Sequence, residues 1–351
     1  MLEWKNNVRT VEPYVPGEQP DMLNMIKLNT NENPYPPAPG VIEASKSMDL
    51  DRLRLYPDPS AGRLVNALAN AYGRSPSEVF VGVGSDDVLA LAFLTFYNSK
   101  KPILFPDITY SFYDVWANLY RIPYETPALD ENFRIKIEDY YKENGGVVLA
   151  NPNAPTSICE GLDFIEDILM HNRDVVVIVD EAYIDFGGQS ATKLIGKYDN
   201  LLVVQTFSKS RSMAGMRIGY AMGNKELIKA LQDVKYSFNS YTMNQTSLIY
   251  GEQAVLDHDY FVKTLKKIIV TRERTKTRLR ELGFSFPDSK ANFLFITHKS
   301  VPAKELFTML REKNIFVRYF DKPRIDNYLR VTIGTDEEMN QFIETLKAYL
   351  I

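Results

Sequence analysis

Six short runs of aliphatic residues, most of them followed by a segment of helical spacing, constrain this chain more than any other feature. They are VFVGV (79–83), PILF (102–105), GVVLAN (146–151), VVVIVD (175–180), LLVVQTF (201–207) and RIGYAM (217–222). Several are apolar at successive positions instead of at every second one. A strand with one wet face alternates, whereas a strand covered on both faces does not. Between the runs lie amphipathic stretches from Ser85 to Tyr97, around Tyr110 to Leu119, and from Leu162 to Met170. This alternation predicts an α/β architecture with a mostly parallel sheet between helices.

The ends of the chain read differently. Leu28 to Gly40, LNTNENPYPPAPG, has too many prolines for a helix, because each removes a donor and pushes the preceding residue toward extended geometry. An extended arm is expected there, docked through Trp4, Tyr14 and Tyr35. After residue 257 a long polar helix is expected from His258 to Leu282, stopped by Gly283. NFLFI (292–296), a helix through Lys304 to Lys313, IFVRYF (315–320) and YLRVTIG (328–334) then read as a smaller α+β unit. A last helix should begin near Asp336, capped by Thr335. The expected organisation is an arm over 1–40, a large domain over 41–256 and a small domain over 257–351. The 351 residues suffice for two such cores.

Composition narrows the function. Lys and Arg total 41 and Asp and Glu 45, a net charge of −4 that argues against nucleic acid or an anionic membrane as the main partner. A single cysteine, Cys159, excludes an internal disulfide and fits a reducing compartment. No apolar run is long enough to span a bilayer, and no signal-peptide core opens the chain. A cytoplasmic enzyme is the expectation.

Lys209 is the focal candidate. It follows LLVVQTF, so it should stand at the carboxyl edge of a buried strand, where open α/β sheets bind their ligands. Desolvation there eases deprotonation, and a neutral amine is what Schiff-base chemistry requires. Taken alone, a lysine in this place is a solvated charge. Asp180, closing five aliphatics, should project from the same edge; a buried carboxylate needs a cationic or donor partner, and a protonated pyridine nitrogen would serve. Tyr183, three residues on, could donate to a phenolate oxygen, or simply pack. His171, His258 and His298 all lie outside these motifs, which speaks against a metal site. In VGVGSDD a strand turns through Gly82 and Gly84 into a helix at Ser85, where free amides and the dipole favour an anion. The same motif is also an ordinary capped turn, and Asp86 and Asp87 would repel a phosphate unless they point away. Ser208 and Arg217 could complete such a cradle.

As a set, NPNAPTS, VVVIVDEAY and SKSRSMAGMRIGY resemble the fold type I pyridoxal-phosphate aminotransferases. VEPYVPG, LNTNENPYPP, RLYPDP, VRYF and YLRVTIGT narrow the resemblance to the branch that uses histidinol phosphate. The resemblance implies a transamination between L-histidinol phosphate and 2-oxoglutarate. It implies that Lys209 carries the cofactor and moves the proton, Asp180 faces the ring nitrogen, and Tyr183 faces the 3-oxygen. Ser85, the Asp86 amide, Ser208 and Arg217 would hold the phosphate, and Tyr110 would stack on the ring. Tyr56 would reach a neighbouring subunit's phosphate, which implies a homodimer with shared sites. Arg330 and Arg318 would grip the substrates' anionic groups, with Tyr14 near the imidazole end. Arg324 is open between a ligand contact and a solvated charge. One departure stands out: the family's asparagine before Pro-Thr-Gly is Ala154 here, so either Asn153 replaces it or Tyr183 bears the 3-oxygen alone. The alternatives are an aromatic aminotransferase or threonine-phosphate decarboxylase of the same fold, a nicotinamide oxidoreductase, for which a third glycine is missing, or a non-catalytic binding module.

Overall fold

The computed structural model describes residues 3–22 and 24–350. At its centre is a seven-stranded sheet in the order Val79–Gly82, Gly219–Gly223, Leu201–Thr206, Val177–Asp180, Gly146–Ala150, Ile103–Leu104, Tyr124–Glu125. All neighbours run parallel except Gly219–Gly223, which is antiparallel to the strand on either side. The exception has a simple cause. A parallel return needs a crossover of a dozen or more residues, usually through a helix. The twelve residues between Thr206 and Gly219 form turns and the short helical piece Ala214–Met216, with no crossover helix to carry the chain back.

The two faces of the sheet explain the unbroken aliphatic runs. Val147, Leu149, Val177, Val179, Leu201 and Val203 point into one apolar layer, under the helices Gly62–Tyr72, Leu162–His171 and Gln245–Leu256. Val148, Ile178, Leu202 and Val204 point into the opposite layer, with Phe93, Trp116, Ile228 and Leu231 from the helices Ser85–Phe96, Tyr113–Tyr120 and Lys225–Phe238. Successive strand residues face opposite ways, so a doubly covered strand must be apolar throughout. Truncating one of these fully enclosed side chains to alanine costs about 2–5 kcal/mol.

The C-terminal unit is a four-stranded antiparallel sheet in the order Arg318–Tyr319, Leu329–Thr332, Phe293–His298, Phe284–Ser285. The helix His258–Glu281 presents Thr264, Ile268, Thr271, Arg272, Thr275 and Leu279 inward, a stripe of helical period, and Gly283 stops it at φ +87°. Asp336–Leu350 begins with a reciprocal cap: the Thr335 hydroxyl accepts from the Glu338 amide at 3.2 Å, and the Glu338 carboxylate accepts from the Thr335 amide at 2.7 Å. Such a cap contributes about 1 kcal/mol.

IFVRYF, expected as one strand, is split. Ile315–Phe316 pairs in parallel with Ile26–Lys27 of the arm, while Arg318–Tyr319 joins the small sheet. The second half of the arm therefore packs with the small unit, where Ile26 and Leu28 share its apolar cluster. Farther back, the arm crosses the large unit, and Tyr14 stacks on Phe112 with 4.1 Å between ring centroids. Trp4, in contrast, is exposed. No helix among the described residues is long and apolar enough to cross a membrane.

Candidate active site

A cavity of about 280 Å3 opens at the carboxyl edge of the large sheet, roofed by the small unit and the arm. Lys209, Asp180, Tyr183, Ser85, Asp86, Tyr110, Ser208, Arg217, Arg318, Arg330 and Tyr14, separated by up to 316 positions in sequence, all line it. The topology accounts for the gathering. Asp180 closes its strand, Lys209 lies three residues beyond Thr206, and Ser85 starts the helix that leaves the Val79–Gly82 strand. All three strands point the same way, so their ends meet at one edge.

Lys209 is half-buried, with Nζ donating to the Thr30 carbonyl at 3.0 Å and lying 5.8 Å from the centre of the Tyr183 ring. Its own carbonyl accepts from the Asn33 side-chain amide at 3.0 Å, so the arm fixes the lysine from both ends. Asp180 is buried. Desolvation pushes its carboxyl up to about 6, opposed by hydrogen bonds from the Tyr113 hydroxyl at 2.8 Å and the Ala182 amide at 3.2 Å. No lysine or arginine pairs with it among the described residues. Glu181 faces the other side of the sheet, where it accepts from Ser190, Gln205 and the Ala191 amide, and burial pushes it up to about 7.

At the Ser85 end, backbone fit is close. A Cβ on Gly219 would overlap the peptide joining Gly84 to Ser85, and one on Gly84, already at φ +86°, would lie 2.6 Å from Arg217 Nη2. The turn, the strand and the guanidinium thus require glycine at both places. Arg217, itself at φ +52°, reaches the Ser208 hydroxyl at 3.5 Å and the Asp86 carboxylate at 3.3 Å. Tyr110 also donates to Asp86, at 2.8 Å. The two acidic residues after Ser85 behave differently: Asp87 turns back to accept from the Val83 amide at 2.9 Å, whereas Asp86 faces the cavity. Tyr110 sits in the loop before Tyr113–Tyr120, not on that helix, and so presents its ring to the cavity.

Arg318 and Arg330 face each other directly across two antiparallel strands. Like charges in that register repel. Neither is in an ion pair among the described residues, and Arg330 Nε is buried without a hydrogen-bond partner. Burial, with Arg318 alongside, pulls the Arg330 pKa below its usual value. Two adjoining guanidiniums of this kind call for an anion.

Three sequence candidates are not brought into the cavity. Asn153 is buried inside its own turn, its amide donating to the Ile108 carbonyl and Thr156 and accepting from Thr109 at 2.7 Å. The amide beside Tyr183 comes instead from Asn31, whose Nδ2 donates to the Tyr183 hydroxyl at 3.0 Å. Tyr56 is 82% exposed and stacks on Tyr241 beside a separate surface hollow. Arg324 donates to Asp107 and to two backbone carbonyls away from the cavity. Sequence reasoning passed over Asn31, Thr30 and Tyr113. The available signal for the first was the asparagine-rich LNTNEN, since asparagine tolerates the left-handed backbone that Asn31 adopts at φ +56°.

Residues 24–346 match the family model for aminotransferase class I and II. The chain belongs to this family. Among relatives of this aminotransferase, the histidinol-phosphate aminotransferase of Clostridium botulinum is 53% identical over 344 residues, covering 98% of this chain and 97% of the relative. The Lactococcus lactis enzyme of the same name is 52% identical over 349 residues, covering 99% and 97%. Among solved structures, the histidinol-phosphate aminotransferase of Clostridium acetobutylicum superposes with a TM-score of 0.85 at 23% identity, covering 93% and 99% of the two chains. That of Sinorhizobium meliloti, in complex with pyridoxal-5'-phosphate, gives 0.83 at 22% identity, covering 92% and 91%. These superpositions establish the same α/β fold for this aminotransferase.

Proposed function

We propose that this aminotransferase uses pyridoxal phosphate to exchange the amino group between L-histidinol phosphate and 2-oxoglutarate, giving imidazole acetol phosphate and L-glutamate. The observation that carries the reading is the pair Arg318–Arg330, two unpaired guanidiniums across the same cavity from Lys209 and Asp180. Both substrates are anionic, one through phosphate and the other through carboxylates, and a planar guanidinium donates to either. The names of the relatives, at 51–54% identity over nearly the full chain, agree with it.

The cavity's own chemistry fits the cofactor. Asp180 is a buried carboxylate with no cation beside it among the described residues, and a protonated ring nitrogen would supply one. The Ser85 amide, Ser208 and Arg217 form a donor set for a phosphate where glycines keep Cβ atoms out, and the Asp86 carboxylate beside them is engaged by Arg217 and Tyr110. Asn31 and Tyr183 would face the 3-oxygen, and the Tyr110 ring would cover one face. Bound there, pyridoxal phosphate supplies an aldehyde to capture an amine and a ring that withdraws the electrons left by α-proton removal.

The protein's residues do the rest. Lys209 Nζ, held near Thr30 and Tyr183, would take the proton from the substrate's α-carbon and hold it for return. Asp180 keeps negative charge where the ring nitrogen lies, and Tyr113 fixes its orientation. Arg330 and Arg318 orient each substrate so that its α-carbon faces Lys209, which turns a bimolecular encounter into a positioned one. Tyr14 would close the imidazole end. Exposed Tyr56 would serve a second subunit's phosphate, in a homodimer working in the cytoplasm. The large and small units would act as the two walls of the site, with the arm as a cover.

Initial rates with histidinol phosphate, phenylalanine and phosphothreonine as alternative substrates test the specificity. Preference for histidinol phosphate is expected; preference for phenylalanine, or decarboxylation of phosphothreonine, would assign one of the other activities of this fold.

A further inference from the structure

The strands carrying Arg318 and Arg330 are joined by the loop 320–328, and its tip does not hang free. Arg324 Nη1 donates to Asp107 Oδ2 at 2.7 Å, and Nη2 donates to the carbonyls of Leu129 at 2.7 Å and Asp130 at 2.9 Å. All three acceptors belong to the large unit. Arg324 holds this geometry at φ +71°, a left-handed backbone that a non-glycine residue keeps only when its surroundings enforce it. The next residue, Ile325, is buried in a cluster that joins Ile108, Leu129, Phe133 and Ile158 of the large unit to Phe295 of the small one. Asp107 is braced in turn, its Oδ1 accepting from the Leu129 amide at 2.9 Å. Two and three residues beyond it come Thr109 and Tyr110, which line the same cavity as the arginines.

We infer that Arg324 is a positioning residue that sets the distance between the arginine wall and the Tyr110 wall of the cavity. The inference rests on reading Arg318 and Arg330 as the anion-binding pair. A substrate gripped at its anionic end must still place its reacting carbon at Lys209, so the separation of the walls decides how well it fits. Arg324 fixes that separation without touching substrate or cofactor. A guanidinium is suited to the task because its rigid planar fork holds three acceptors in fixed directions from two nitrogens, which the single rotatable ammonium of a lysine does not.

Arg324→Gln, Arg324→Lys and Asp107→Asn should raise KM for both amino donors, on the order of tenfold for the glutamine variant, with lysine between. Pyridoxal phosphate affinity and melting temperature should stay near wild type, and the Arg324→Gln/Asp107→Asn double variant should be no worse than either single one. Hydrogen exchange on the cofactor-free protein provides a readout independent of turnover. In Arg324→Gln, amides of 105–112 and 318–330 should speed up together. Exchange rising only within 320–328, or KM unchanged, overturns the inference; so does a cofactor affinity that falls in step with KM. Coupled exchange in Arg324→Gln, where the wild type does not transaminate, refutes the proposed reaction and leaves the positioning role of Arg324 standing.

Discussion

Replacing Asp180 by asparagine should change how stability responds to pH, and the size of the change follows from the burial of this one carboxyl. Its pKa stands at about 6 in the fold against 3.8 when solvated, chiefly through desolvation. Between those values the folded chain retains a proton that the unfolded chain has released. Stability from this group is therefore present below pH 3.8, is lost as pH rises through the interval, and is gone above about 6. At 1.36 kcal/mol per pH unit the swing is about 3 kcal/mol. Asparagine does not titrate. In the cofactor-free protein, the stability of Asp180→Asn relative to wild type should thus rise by about 2 kcal/mol from pH 4 to pH 7, where most of the swing falls. Glu181 titrates nearby, but it is present in both proteins and drops out of the difference. Guanidinium unfolding of the two proteins across this range measures the swing. Adding pyridoxal phosphate should erase it in favour of wild type, because a cationic ring nitrogen lowers the Asp180 pKa. A stability difference that stays flat with pH, or falls as pH rises, would refute the reasoning.

Other substitutions probe the remaining parts. Lys209→Ala should abolish transamination while pyridoxal phosphate still binds non-covalently; near-normal turnover would remove Lys209 from its role. Arg330→Ala should impair the glutamate half-reaction more than the histidinol phosphate one in single-turnover spectra, whereas equal losses would mean that both substrates rely on it alike. Tyr113→Phe removes a hydrogen bond to a buried charge, which contributes about 1.5–3 kcal/mol, so the titration of Asp180 should move to higher pH and cofactor affinity should fall near neutrality. An unchanged pH profile of cofactor binding would exclude the hydrogen bond as the cause. Gly219→Ala places a methyl against the Gly84–Ser85 peptide and should weaken cofactor binding by displacing that turn, measured by equilibrium titration; wild-type affinity would show that the turn can move freely.

Residues whose place follows from strand order could be read directly from the chain. Asp180, Ser208 and Lys209 stand at or just beyond the ends of unbroken aliphatic runs, and a parallel sheet sends such ends to one edge. Arg217 and Ser85 follow from the same rule with a glycine turn added. Asn153 did not, because one position within the turn after Gly146–Ala150 decides whether a side chain faces the cavity or the sheet's flank, and neighbouring residues in a turn point in unrelated directions. Ala154 lines the cavity and Asn153 does not. Asn31 was hidden for a different reason: it lies 152 residues from Tyr183, and only the arm's pairing with Ile315–Phe316 brings them together. In the chain, Tyr113 is one more aromatic within the stretch around Tyr110 to Leu119. Its hydroxyl matters because of what lies opposite, and that depends on packing between layers.

The most direct test of the central claim is to add pyridoxal phosphate to the purified protein, reduce it with borohydride, digest it and locate the modified peptide by mass spectrometry. A pyridoxyl group on Lys209, absent when the protein is first bleached with histidinol phosphate, is the expected result. A label on another lysine, or no label in protein that binds the cofactor, would contradict the assignment of this cavity.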